Sequence, residues 1–143
     1  MGNASSEQSS TCNYEDIQRG IIEKNGILIH IMDNDAMLIS GTTSIDKETA
    51  TINQLLNDRE YDTNIIVYGK NIDDYERLVK KRGQLITLGF RCVWFYPGGL
   101  FEWSLLQDIF GKGQFPTTNV VRDIISYSPK KGNSSFPLNP ILK

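Results

Sequence analysis

The run "NIIVY" at 64–68 is apolar nearly throughout and does not alternate with polar residues, so a strand built from it has to be covered on both faces. Two more β-rich runs flank it, "ILIHIM" at 27–32 and "RCVWF" at 91–95, and stretches of helical periodicity lie between them. "DKETATINQLLNDRE" opens with acidic residues that suit a helix N-terminus and sets Ile52, Leu55 and Leu56 on one face. "DDYERLVKKRGQLITLGF" is a longer amphipathic stretch with Tyr75, Leu78, Val79, Leu85 and Leu88 inward. Strands that alternate with helices predict an α/β fold, a central parallel sheet with helices on both faces.

The other elements fit the same scheme. "YEDIQRGIIEKNG" places Ile17, Ile21 and Ile22 near helical spacing and stops at Asn25-Gly26. After "DND" the chain turns into a short strand expected at "MLIS", with Gly41 as punctuation, and "PGG" at 97–99 is a tight turn into a helix, "LFEWSLLQDIFG", that ends at Gly111. Residues 1–13 are small, polar and Ser-rich and predict a flexible arm, residues 14–112 form the domain, and residues 113–143 are a Pro-, Ser-, Asn- and Lys-rich extension with one short helix at "VVRDIISY". Phe136, Leu138, Ile141 and Leu142 in that extension favour docking, on the domain or on a partner.

At 143 residues and 39% hydrophobic content the chain suits one core. Fifteen basic against seventeen acidic residues lack the positive excess that drives phosphate binding, which argues against nucleic acid as a partner. Cys12 and Cys92, with one histidine between them, support neither a disulfide framework nor a zinc site, so reduced thiols in a cytoplasmic setting are expected, without metal or cofactor. No run approaches the roughly 18 apolar residues of a membrane-spanning helix, and the N-terminus lacks a signal-peptide core. The glycosylation triplets at Asn3 and Asn133 are discounted on that ground.

"LGFRCVWFYPGGLFEW" at 88–103 resembles the rhodanese-like domains, in which a helix ends in Gly-Phe, a strand carrying Val follows, and Gly-Gly-x-x-x-Trp opens the last helix. Gly89, Phe90, Val93, Gly98, Gly99 and Trp103 fall on that pattern. "ILIHIM" stands where the family carries Leu-Ile-Asp-Val-Arg, "LISGT" resembles its Ile-Pro-Gly-Ala segment, and "IIVY" matches the strand that leads into the active-site loop, so the likeness spans 14–112.

The resemblance implies a loop of the form Cys-x-x-Gly-x-Arg after that strand, and this chain reads Gly69, Lys70, Asn71, Ile72, Asp73, Asp74. All three defining residues are replaced, by Gly69, Ile72 and Asp74, and His30 and Met32 replace the early Asp and Arg. In the family a cysteine thiolate carries the transferred sulfur inside a ring of backbone N–H groups at a helix N-terminus. Without that sulfur there is no covalent carrier, and Asp73 and Asp74 place negative charge where an anionic donor would approach. The same loss argues against the rhodanese-fold phosphatases.

Each remaining candidate has a plainer reading. Cys92 is a small core residue rather than a displaced nucleophile. Lys70 and Asn71 form either an anion site on the loop amides or an ordinary solvated turn, and Asp73 and Asp74 are helix caps. His30 is a structural histidine. Trp94, Phe95, Tyr96, Phe101 and Trp103 are mostly core, with a partner-binding aromatic patch as the alternative.

"MGNASS" matches Met-Gly-x-x-x-Ser, which predicts N-myristoylation at Gly2. One myristoyl chain holds a membrane only marginally, so Cys12 palmitoylation or homo-oligomerisation is the second anchor expected. The function predicted is a catalytically silent rhodanese-like binding or structural module, tethered to cytoplasmic membrane surfaces and engaging an unidentified protein partner. The ending "FEWSLLQDIFG…FPTT" is similar to extended members in large DNA viruses and protists, which implies a virion or virus-associated role. The competing class is a sulfurtransferase or phosphatase-like enzyme with an atypical loop.

Overall fold

A computed structural model describes residues 10–121 and 123–130. Gly2, the glycosylation triplets and the apolar residues 136–142 lie outside them. The sheet has four parallel strands in the order β2-β1-β3-β4: β1 (Ile27–His30), β2 (Thr42–Thr43), β3 (Ile65–Tyr68) and β4 (Val93–Tyr96). β3 pairs Ile65 with Ile27 on one side and with Val93 on the other, so the run that does not alternate is flanked by strands on both edges. Four helices connect and cover the strands: α1 (Tyr14–Glu23), α2 (Ile45–Asn57), α3 (Tyr75–Thr87) and α4 (Gly99–Phe110).

Strand geometry sends alternate side chains to opposite faces, and each face has its own core. Ile29, Ile65, Val67, Val93 and Phe95 pack with Ile52 of α2 and with Leu78 and Leu85 of α3. Leu28, Tyr68 and Tyr96 pack on the other face with Ile17 of α1 and with Leu100 and Trp103 of α4. Expected inward residues Tyr75, Val79 and Leu88 are instead 44–48% exposed, and Ile22 is 80% exposed. Each helix touches the sheet along a narrower stripe than its apolar residues would allow.

The expected strand at "MLIS" is not one. Leu38 and Ile39 are buried, but Ile39 makes a lone antiparallel bridge to Thr117, and the paired strand begins at Thr42. The Tyr68 hydroxyl explains the placement: it accepts from the Ile39 N–H at 3.0 Å and lies 2.8 Å from Thr42 Oγ1. Burial raises the Tyr68 phenol to about 12, which keeps it neutral.

Both ends of the domain also shift. Ser10–Cys12 do not belong to a flexible arm, because Phe95 N–H donates to Ser10 O at 2.9 Å and Cys12 N–H to Phe95 O at 3.0 Å, extending the sheet edge beyond β4. The domain does not stop at 112 either. Phe115 is 2% exposed, tilted 78° against the Trp103 ring at 5.0 Å, while Trp103 Nε1 donates to Pro116 O and Thr118 N–H to Leu38 O. Past this strap the chain forms a 3-10 turn at Ile124–Tyr127, where a short helix was expected.

Candidate functional site

The loop after β3 lies at the C-terminal edge of the parallel sheet, where open α/β sheets place their ligands. It runs from Gly69 through a 3-10 turn at Ile72–Asp74 into α3. Beside it is a cleft of about 420 Å³, bordered by Met32, Asp33, Lys70, Asp74, Arg77 and Tyr127.

The loop amides turn inward. Asp74 Oδ2 accepts from Lys70 N–H at 2.7 Å, Asn71 Oδ1 from Asp73 N–H at 2.8 Å, and Asn71 O from Asp74 N–H at 3.1 Å. A carboxylate of the chain itself thus stands against the loop backbone where an anionic ligand would have to sit. Its other oxygen meets Arg77 Nη1 at 3.2 Å, and Arg77 Nη2 donates to Ile31 O at 2.6 Å, so the nearest guanidinium is committed as well. An anion would have to displace an internal, already hydrogen-bonded charge. Of the two readings of Lys70 and Asn71, the geometry favours the turn over the anion site, but that turn is solvated only at Lys70, which is exposed, and not at Asn71, which is 5% exposed and hydrogen-bonded.

Gly69 is chemically silent, and its position is also tight. A Cβ there would lie 2.5 Å from Asp74 Oδ2. On the opposite side the first turn of α4 holds the loop, with Leu100 N–H donating to Gly69 O at 3.0 Å and Phe101 N–H to Lys70 O at 2.9 Å. That approach explains Gly99, whose φ is +64° and whose Cβ would come within 2.6 Å of Gly69 O.

The C-terminal extension covers the loop. Buried Asn71 donates from Nδ2 to Tyr127 O at 2.7 Å, and Lys130 N–H donates to Asp73 Oδ2 at 2.9 Å. The expected cap role of Asp73 and Asp74 is therefore replaced: Asp73 bonds the extension and Asp74 its own loop. The sequence pattern gave no warning of the contacts with the extension, because the partners of Asn71 and Asp73 are 56 and 57 residues away.

The other candidates are dispersed. His30 is buried; its Nδ1 accepts from Met32 N–H at 3.0 Å, which assigns the proton to Nε2, and Nε2 donates to Asp35 at 2.6 Å. Asp35 in turn accepts from Ile45 N–H at the start of α2, so the histidine supports a helix cap. Cys12 is buried in the core, and burial pushes its thiol up to about 12, so it is neither a free thiolate nor an accessible acylation site. Cys92 is half-buried before β4. Phe95, Tyr96 and Trp103 are core, and Tyr96 donates to Glu102. The aromatic cluster is not an exposed patch. What α4 exposes instead is Leu105, Ile109 and Phe110, at 40%, 68% and 57%. No group of three or more metal-ligating side chains occurs among the described residues, and none of their helices is long and apolar enough to cross a membrane.

No protein-family model matches the sequence, and no curated protein matches it. Solved structures do. The crystal structure of the Alr3790 protein from Anabaena sp. is 19% identical, with a TM-score of 0.54 over 78% of this chain and 94% of that one. The solution structure of the rhodanese-like domain of Alr3790 is 18% identical, with a TM-score of 0.55 over 91% of this chain and 92% of that one. With its four-stranded parallel sheet, helices on both faces and a loop closing the C-terminal edge, the chain has a rhodanese-like fold.

Proposed function

We propose that this protein is a non-catalytic rhodanese-like module that binds a protein partner and is held at cytoplasmic membrane surfaces by a myristoyl group on Gly2. The observation that carries the first part is the Asp74 carboxylate hydrogen-bonded to the Lys70 amide, with no Cβ on Gly69 to carry a nucleophile. A sulfane carrier needs a thiolate and open amides, and this loop offers neither. Assays of thiosulfate-to-cyanide transfer and of phosphatase activity should read background. Turnover that survives the double change Cys12→Ser, Cys92→Ser would establish the enzyme reading instead.

Gly69→Cys supplies the missing atom and is still expected to be inactive. Its Cβ collides with Asp74, and overpacking of this kind costs about 1–3 kcal/mol, a fall of roughly 3–10 °C in the melting midpoint. Measurable sulfur transfer by this single variant would show that the Asp74 carboxylate yields readily.

The tether rests on the Gly2 and Ser6 match, and a virion or virus-induced membrane is one setting that would use it. Burial of Cys12 leaves association through a partner or a second copy as the remaining second anchor. In eukaryotic cells Gly2→Ala should move most of the protein into the soluble fraction. An acetylated or free terminus on native protein, read by mass spectrometry, would end the tether reading.

A further inference from the structure

On the sheet face opposite α2 and α3, two hollows lie beneath α1. The first, about 250 Å³, is bordered by Thr11, Asp16, Arg19, Glu23 and Trp94, and the second, about 310 Å³, by Ile17, Ile21, Ile27, Leu28 and Ser40. They share Gly20, Asn25, Asn64 and Ile66, and so meet where α1 crosses β3. The polar groups at the junction satisfy one another: Trp94 Nε1 donates to Asn64 Oδ1 and Asn64 Nδ2 to Asn25 Oδ1, each at 3.4 Å. What remains open to an occupant is apolar at one end and charged at the other. The second hollow alone reaches the roughly 300 Å³ at which small-molecule sites begin.

Gly20 is the telling residue. A glycine inside a helix is unfavourable relative to alanine, and neither a left-handed φ nor a close neighbour requires it here, because a Cβ at this position would meet no atom within 4 Å. Gly20 borders both hollows, and its missing side chain leaves the space there open.

We infer that this channel receives the chain's own N-terminal acyl group in molecules not bound to a membrane, so that burial of the myristoyl chain on Gly2 under α1 competes with its insertion. The inference rests on the acylation proposed above. Three features select this occupant. The described chain begins at Ser10 beside β4, and Thr11 and Cys12 border the first hollow, so the preceding residues start at the channel mouth. Crossing from outside β4 to β1 takes three strand spacings, roughly 14 Å, and residues 2–10 reach roughly 30 Å when extended. The polarity also runs the right way: the end with Asp16, Arg19 and Glu23 suits a Ser- and Asn-rich stretch, and the end with Ile17, Ile21, Leu28 and Ile66 suits a hydrocarbon. Sequestration lowers membrane affinity by the fraction of molecules that hold the chain inside.

The test is to co-express the full chain with an N-myristoyltransferase, verify the acyl mass, and compare amide hydrogen exchange with Gly2→Ala. Amides around Ile21, Leu28 and Ile66 should slow by about fivefold or more in the acylated protein. Gly20→Phe, which fills the channel, should abolish the slowing and raise pelleting with phosphatidylcholine vesicles by about fivefold. The wild-type comparison stands even if that variant folds poorly. Equal exchange in acylated and Gly2→Ala protein overturns the inference, as does slowing by free myristic acid when the attached chain produces none. Failure of the transferase to acylate Gly2 sinks both readings, whereas an acylated protein without slowed exchange sinks only this one.

Discussion

A chain ended after Lys112 is expected to be unfolded, although residues 14–112 contain every strand and helix of the rhodanese-like pattern. Removing the strap exposes Trp103 and takes away the Phe115 ring packed at 5.0 Å against it. It also strips Gln107 Nε2 of Phe115 O and Thr117 Oγ1, at 2.8 and 3.0 Å, and Ser40 N–H of Pro116 O at 3.0 Å. Loss of one buried aromatic ring costs about 3–5 kcal/mol, and each of these half-buried hydrogen bonds about 0.5–1.5 kcal/mol more. A domain stable by about 5–15 kcal/mol does not survive that. Phe115→Ala in the full chain isolates the ring: its urea midpoint should fall by an amount equivalent to about 3–5 kcal/mol at unchanged slope. A 1–112 fragment with a cooperative melt would show that the strap is an accessory.

Gly99→Ala is expected to be nearly as damaging, from one added methyl group. The backbone there has φ +64°, where an L side chain costs about 1–2 kcal/mol. The new Cβ would also stand 2.6 Å from Gly69 O and 2.9 Å from Lys70 C. Those are backbone atoms held by α4's own N–H groups, so they cannot step aside as a flexible side chain would. The combined loss should reach about 3–5 kcal/mol, read as a shift in the urea midpoint. Gly20→Ala, where the added Cβ meets nothing within 4 Å, is the matched control and should be neutral or stabilising.

The strength of the Gly-Gly turn as a sequence signal has the same origin. Because the position tolerates no Cβ, Gly98-Gly99 could be recognised from local sequence, with Trp103 one turn further on. The missing thiol was equally legible, since no arrangement of neighbours can give Gly69 a sulfur atom.

The sequence by itself therefore determined the parallel α/β architecture, through apolar runs separated by helical periods, and the absence of a sulfur carrier after β3. Both depend on properties a residue brings with it: hydrophobic spacing and side-chain chemistry. Only the tertiary structure decided what depends on partners distant in the chain. It bonded Asn71 and Asp73 to Tyr127 and Lys130, drew Cys12 out of a supposed arm into the core, and moved β2 from "MLIS" to Thr42–Thr43. Leu38 and Ile39 look like a strand and are as buried as one. They do not pair as one because the Tyr68 hydroxyl accepts the Ile39 amide and the strap bonds the segment's other edge, a competition settled by contacts that local sequence does not encode.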